Sequence, residues 1–303
     1  MLTNTDRRLD RKGVDCTSTA QLVALWLHGK TPLTQRAYEY DVRCLIAFLN
    51  HQSPEQVRLS DGDLRRVTLN DVQAFDDFLL EKGLSDTSRA RRLAAIKSLL
   101  SFGQKIGYLD FNVGSAVALP KPKDTLAERI LTELEVMTMV ALTPQGRERL
   151  LIQFLYYTGA RVGEVAKLTW RDIQPNRDGQ GQVTLYGKGQ ETRTVIIPAS
   201  LYQGLLGMRG DNNPEAAVFV SRKGKKPLQD RQIRKIVKEA AARAGIAGSV
   251  SPHWLRHSHA SHSLDRGAAP QLVQKTLGHK SLDTTTRYAH ARPSDSSGLY
   301  LPT

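Results

Sequence analysis

Apolar residues spaced three and four apart run through most of this chain and divide it into helices. Leu22, Val23, Leu25 and Trp26 mark a first helix that opens at Thr19 and stops at Gly29. Pro32 opens a second, whose apolar set is Tyr38, Val42, Leu45 and Leu49. Gln52 to Val67 reads as loop, and Asn70 as the cap of a third helix carrying Val72, Phe75, Phe78 and Leu79 up to Gly83. Ser85 begins a fourth, with Leu93, Ile96, Leu99 and Leu100 facing inward. Residues 1–16 are polar and read as a mobile terminus.

The pattern breaks at Leu119-Pro-Lys-Pro-Lys-Asp124, where two prolines and two lysines resist both helix and core. This stretch reads as a linker, 119–124, between a helical domain, 17–118, and a second domain, 125–303. In the second, Thr132 with Glu135 fits a capping box before Val136, Met139 and Val140. Arg147 to Tyr157 reads as a helix that Thr158-Gly-Ala-Arg161 breaks and Val162 to Leu168 restarts. Val183–Gly187 and Thr192–Pro198 are β-branched runs around Lys188-Gly-Gln-Glu, a hairpin with Lys188 at its turn. Arg222 to Lys226 is a basic loop, followed by a helix through Ile233, Ile236 and Val237. Ser251-Pro252 starts another helix, and Gly278 ends a short one around Leu272, Val273 and Leu277. A polar segment then carries Tyr288. The expected class is mainly α with one small β-sheet, α+β.

Composition narrows the function. Cys16 and Cys44 lie far apart and in no metal-like spacing, so the chain reads as free of disulfides and at home in a reducing cytoplasm. No apolar run is long enough for a membrane span, and the N-terminus lacks the apolar core of a signal peptide. The formal net charge is +13, and most of it belongs to the second domain, +10 against +3 for residues 1–124. A basic protein without membrane features points to a polyanionic partner. Arg36 on the second helix, Arg89, Arg92 and Lys97 on the polar side of the fourth, and Arg231 and Arg234 on the later cationic helix are the expected phosphate contacts.

Tyr288, set among Thr, Arg and His, is a poor core residue and a candidate nucleophile. Its phenol, with a pKa near 10 when unperturbed, needs a base and a cationic surround. Arg161 and Arg256 suit the two non-bridging oxygens of a phosphodiester and the charge of a pentacoordinate transition state. His253 lies three residues before Arg256 on the same helical face and titrates in the range of a general base. Lys188 is placed to protonate a leaving oxygen, His279 to donate to the phosphate, and Glu164 to orient one of the cations. His253, His257, His259 and His262 carry a metal-like spacing, but no acidic ligand or H-E-x-x-H accompanies them, so neither metal nor other cofactor is expected.

The motifs T-G-A-R-V-G-E (Thr158 to Glu164), G-K-G (Gly187 to Gly189), H-W-L-R-H (His253 to His257), L-G-H (Leu277 to His279) and T-T-T-R-Y-A-H (Thr284 to His290) together resemble the successive motifs of the tyrosine recombinases, or phage integrases, of the simple two-domain type. The resemblance covers residues 125–303 and, more weakly, 17–115, which are similar to the family's helical, SAM-like core-binding domain. It implies a site-specific recombinase in which Tyr288 forms a 3′-phosphotyrosine and frees a 5′-hydroxyl. Arg161 and Arg256 would clamp the phosphate and Lys188 would act as general acid. His253 and His279 would assist, with Glu164 in support. It further implies a C-shaped clamp on duplex DNA and four protomers exchanging strands on two sites through a Holliday junction. The segment after Tyr288 departs from the pattern: Pro293 and Gly298 interrupt it, leaving Leu299, Tyr300 and Leu301 as a short apolar plug at most. A type IB topoisomerase-like relaxer and a catalytically dead DNA-binding protein are the competing readings. A site-dependent covalent adduct separates the recombinase from both.

Overall fold

The computed structural model describes residues 16–187, 191–210, 212–222 and 226–291, the last three through their backbone alone. The expected roles of Lys188, of the 223–225 loop tip, of the first 15 residues and of the segment beyond 291 lie outside the described residues. The chain divides into two compact units, Met1–Lys123 and Asp124–Thr303.

The first unit is helical: α1 (Thr19–Leu27), α2 (Pro32–Leu49), α3 (Leu69–Glu81) and α4 (Asp86–Lys105). Ser18, Thr31 and Ser85 cap α1, α2 and α4 with their hydroxyls, and Pro32 occupies the first turn of α2 where its missing N–H costs nothing. The cap of α3 is Thr68 in a reciprocal box with Asp71, not Asn70, because the Asp71 carboxylate can reach back to the Thr68 backbone N–H at 2.8 Å. Leu22, Leu45, Phe75, Leu93, Ile96 and Leu99 fill the core. Burying each such side chain stabilises by about 1.5–3 kcal/mol.

Two buried charge clusters tie α4 to its neighbours. Asp41 on α2 has no exposed surface and accepts from Arg91 at 2.5 and 2.7 Å and from Arg92 at 3.2 Å. Asp76 on α3 takes both branches of Arg89 at 2.9 and 2.8 Å, and Asp86 takes a third bond at 3.1 Å. Arg89 is therefore not on the wet face, as its place in a basic run suggests. The aspartates on α3 and in the first turn of α4 draw it inward. Lys97 bends back to the carbonyl of Val117, whereas Arg36 stands exposed on α2.

The second unit carries α5 (Glu133–Leu142), α6 (Arg147–Thr158), the short α7 (Val162–Val165), β1 (Ile173–Pro175), β2 (Gly181–Tyr186), β3 (Thr192–Ile197), α8 (Ala199–Met208), α9 (Asp230–Arg243), α10 (Pro252–Asp265), α11 (Pro270–Leu277) and α12 (Leu282–Ala291). The strands form one antiparallel sheet in the order β1-β2-β3, with Val183 opposite Val195 and Tyr186 opposite Thr192. Pro175 is tolerated because β1 is an edge strand. Leu151, Phe154, Leu155, Val183, Val195, Phe219, Ile233 and Leu255 pack into the main core. A smaller cluster of Ile130, Ala260, Val273, Leu277 and Tyr288 joins α10, α11 and α12.

Two elements escape the periodicity argument. In α8, Gly204 and Gly207 dilute the helical signal, yet a Cβ at Gly204 would come within 2.6 Å of Leu150, so the glycine lets α6 approach. The strand β1 is three residues long and ends in proline.

Candidate active site

The site is organised by the C-terminal end of α11. Its last helical residues and cap expose three consecutive carbonyls, Thr276, Leu277 and Gly278, at the negative end of the helix dipole. Three arginines from three other elements each take one. Arg193 on β3 donates Nε to Thr276 at 2.7 Å, Arg256 on α10 donates to Leu277 at 2.7 Å, and Arg161 donates to Gly278 at 3.1 Å. Arg256 also donates to the carbonyl of Gly159 at 2.5 Å. That carbonyl belongs to the left-handed cap of α6, φ 56°, where glycine avoids the steric cost of a side chain.

Arg161 is the N-cap of α7, and Glu164 folds back on it. The Glu164 carboxylate accepts the Arg161 backbone N–H at 2.7 Å and its guanidinium at 3.1 Å. The same carboxylate takes both branches of Arg193 at 2.8 and 2.6 Å. Glu164 thus orients Arg161, but its stronger, bidentate partner is Arg193, which the sequence reading passed over. Arg161 keeps 40% of its side chain exposed, whereas Arg256 is buried. Burial, reinforced by the charges of Arg161 and Arg193, lowers Arg256 to about 10, which still leaves it cationic at neutral pH.

Beside the arginines, four rings line up as His253, His257, Tyr288 and His279, with centroid spacings of 6.3, 5.6 and 6.1 Å. Tyr288 is 5% exposed, so the expectation of a poor core residue is corrected. Its ring packs with Ile130, Ala260, Val273 and Leu277 as well as with the two flanking imidazoles, and its hydroxyl meets a hydrogen-bonding group. That group is Nδ1 of His257, at 2.9 Å. Burial raises the phenol above its ordinary range, with Arg256 and Arg287 pulling the other way. Burial first, then His253 and the nearby arginines, push His257 down to about 4. His279, bonded through Nδ1 to the buried Thr285 at 2.9 Å, is pushed down to about 4 for the same reasons, burial leading and Arg256 and Arg161 adding. His253 stands exposed at the mouth, and its pKa is lowered by partial desolvation and by the charges of Arg234, Arg256 and Arg161.

The remaining histidines of α10 turn away. His259 bonds the backbone oxygen of Tyr156 at 2.8 Å, and His262 bonds the Tyr156 hydroxyl at 2.9 Å, so both fasten α10 to α6. Among the described residues no group of three metal-ligating side chains comes together. A cleft of about 630 Å³ opens beside Arg161, bounded by Gly187, Arg193, Gln274, Gly278 and His279. Gly187 closes the β2–β3 hairpin through a 2.7 Å bond to the Glu191 carbonyl, which brings the residue before Lys188 to this cleft. On α9, Arg231 and Arg234 are exposed.

Known proteins share this arrangement of sequence and fold. Residues 128–295 match the phage integrase family, and residues 22–105 match the phage integrase N-terminal SAM-like domain. The chain belongs to the phage integrase family. It is similar to the tyrosine recombinase XerC of Mycobacterium tuberculosis (strain ATCC 25177 / H37Ra), 32% identical over 277 residues that span 86% of this chain and 89% of the relative. XerC of Mycobacterium sp. (strain KMS) is 30% identical over 278 residues, with the same two shares. Among solved structures, the XerH recombinase bound to palindromic difH in a post-cleavage complex superposes with a TM-score of 0.71, covering 91% of this chain and 82% of that one at 22% identity. A lambda integrase dimer bound to a COC′ core site gives 0.70, covering 93% and 79% at 17% identity, a likeness of fold. As a tyrosine recombinase, the chain is a site-specific DNA recombinase, an enzyme that cuts and rejoins DNA through a tyrosine intermediate.

Proposed function

We propose that Tyr288 is the nucleophile of this recombinase and that Arg161, Arg256, His253, His257 and His279 form the pocket for the scissile phosphate. The observation that carries the reading is a phenol bonded to His257 and flanked by His279, in the same region as two guanidiniums held on the α11 carbonyls and a third imidazole, His253, beside His257. The phenol oxygen attacks phosphorus while its proton passes to an imidazole. A 3′-phosphotyrosine forms as the bond from phosphorus to the 5′ oxygen breaks. Lys188 delivers a proton to that leaving oxygen, and its chain neighbour Gly187 at the cleft supports the role. The diester's energy stays in the phosphotyrosine, so a 5′-hydroxyl rejoins the strand without ATP or metal.

The sequence reading gave the proton of Tyr288 to His253, but the nearest acceptor is His257 Nδ1. His253 sits nearer the charges of Arg161 and Arg256, a place suited to the phosphate. His279 accepts from Thr285 at Nδ1 when that hydroxyl donates, which leaves Nε2–H for a phosphate oxygen.

The substrate is duplex DNA. Arg36 on α2 and Arg231 and Arg234 on α9 are the exposed cations we assign to its phosphates, with Arg92 and Lys97 contributing what their internal bonds leave free. Arg89 is withdrawn from that set. The boundaries 17–118 and 125–303 serve as a DNA-gripping domain and a catalytic domain. Acting on DNA, the protein works in the cytoplasm, as four copies on two sites. The test is a nicked duplex, recovered from a randomised pool by SDS-resistant capture on the wild-type protein. Tyr288→Phe is expected to bind it and form no adduct, and sizing of the wild-type complex is expected to give four protomers per two duplexes.

A further inference from the structure

Arg193 is an arginine on the inward face of a strand. Val195 and Ile197, the next residues of β3 on that side, are buried, and Leu185 opposite Arg193 is buried as well. Its side chain is 8% exposed, and each branch of its guanidinium is already used: two bonds to Glu164 and one to the Thr276 carbonyl. Gly278 packs directly over it, since a Cβ there would stand 3.3 Å from Arg193 Cδ. This residue borders the same cleft as Arg161, but its guanidinium is committed to Glu164 and the Thr276 carbonyl.

Its partner explains why. Glu164 is a buried carboxylate, 4% exposed, bonded to the very arginine assigned to the phosphate. Left alone with Arg161, a full negative charge would cancel that cation and repel the incoming phosphate. Coulomb attraction at this range is not screened by water as it would be on the surface. Arg193 supplies a second positive charge from behind. One carboxylate shared by two guanidiniums leaves a net positive charge, and the bidentate geometry puts the tighter bonds on Arg193, at 2.6 and 2.8 Å, and the looser, 3.1 Å, on Arg161. Burial alone would raise the Glu164 pKa, yet the bonds from Arg193 and Arg161 hold it below the usual carboxylate range, so the charge to be balanced is present at neutral pH.

We propose that Arg193 is a positioning residue of strand cleavage. It neutralises Glu164 and anchors the last turn of α11, so that Arg161 meets the scissile phosphate with its charge intact and His279 follows in register. The role rests on the phosphate pocket proposed above. Arg193 acts through Glu164, Arg161 and the Thr276 carbonyl.

This role makes a signature that a merely structural arginine lacks: deleting its charge harms chiefly because it strands a carboxylate, so deleting the carboxylate too restores activity. Single-turnover formation of the covalent adduct is measured on the captured nicked duplex for wild type, Arg193→Gln, Glu164→Gln and the double variant, with gel-shift affinity and melting temperature measured alongside. Arg193→Gln is expected to slow adduct formation about 100-fold, the scale of losing one charge-stabilising donor, while affinity changes by a few-fold at most. The double variant is expected to recover at least about 10-fold over Arg193→Gln, because a neutral pair replaces an unbalanced charge. A double variant no faster than Arg193→Gln, or a loss of affinity as large as the loss of rate, overturns the role. Should Arg193→Gln not fold, Arg193→Lys decides instead. Lysine keeps the charge but not the two-branched bond, so it is expected to cleave at least about 10-fold faster than Arg161→Ala, and a loss equal to that of Arg161→Ala overturns the role. Absence of any wild-type adduct overturns the phosphate pocket itself and this role with it, whereas a wild-type adduct without rescue overturns this role alone.

Discussion

His257 Nδ1 lies 2.9 Å from the hydroxyl of Tyr288, and it is the imidazole that holds the phenol although His253 opens the same helix. For Tyr288 to donate, Nδ1 must be the bare nitrogen of a neutral ring, and the depressed pKa of His257 keeps the ring neutral at neutral pH. Replacing His257 with phenylalanine keeps the ring and removes the acceptor. Adduct formation is expected to fall about 100-fold or more, within the usual reach of general-base catalysis, with DNA affinity unchanged. Rapid-quench kinetics check this, and an unchanged rate would return the proton to His253.

Acid should weaken the fold before it weakens any carboxylate pair. His257, His259 and His279 titrate near 4 when folded, against an ordinary value near 6.5, and burial is the leading cause for each. Between those values the unfolded chain binds more protons than the folded one. Stability is therefore complete above about pH 6.5 and declines as pH falls through that window toward 4. Melting temperatures from pH 7.5 to 4.5 read the slope, and replacing His259, which bonds only backbone, with glutamine is expected to flatten it.

The two arginines proposed for the phosphate should fail differently. Arg256 is buried and spans Gly159 and Leu277, so Arg256→Lys, which cannot reach both carbonyls, is expected to lose both cleavage and melting temperature. Arg161 is partly exposed. Arg161→Ala is expected to lose about 100- to 1,000-fold in cleavage with little change in melting temperature. Equal thermal losses for the two would contradict the geometry.

Arg89 and Arg234 separate structure from DNA contact. Removing Arg89 strands Asp76 and is expected to destabilise the first unit by about 3 kcal/mol, leaving the salt dependence of DNA binding as it was. Removing Arg234 is expected to lower the log–log salt slope by about 1 and leave stability alone. Denaturant titration and salt-dependent gel shifts distinguish the two.

What the sequence made legible follows from what is local. Helices with regular apolar spacing, the Thr132–Glu135 cap and the two strands of the hairpin all depend on neighbours within a few residues, and each has its counterpart in the fold. Arg161, His253, Arg256, His279 and Tyr288 stood out through motif spacing, and the structure brings them to one region of the second unit. What was illegible depends on distant partners. Arg193 reads as a polar hairpin residue until Glu164, on another element, is folded against it. His257 reads as one histidine among four until α12 lays Tyr288 across it. Arg89 reads as a surface cation until α3 presents Asp76. The inward place of Arg193 at an alternating position of β3, between a buried valine and the turn, is the signal that points to it.

The central claim is that the phenol of Tyr288 becomes joined to a DNA 3′-phosphate. The direct measurement is mass mapping of the adduct after protease and nuclease digestion. The expected result is one nucleotide-bearing peptide containing Tyr288, lost in Tyr288→Phe. A nucleotide on any other residue, or an adduct that persists in Tyr288→Phe, would contradict the account.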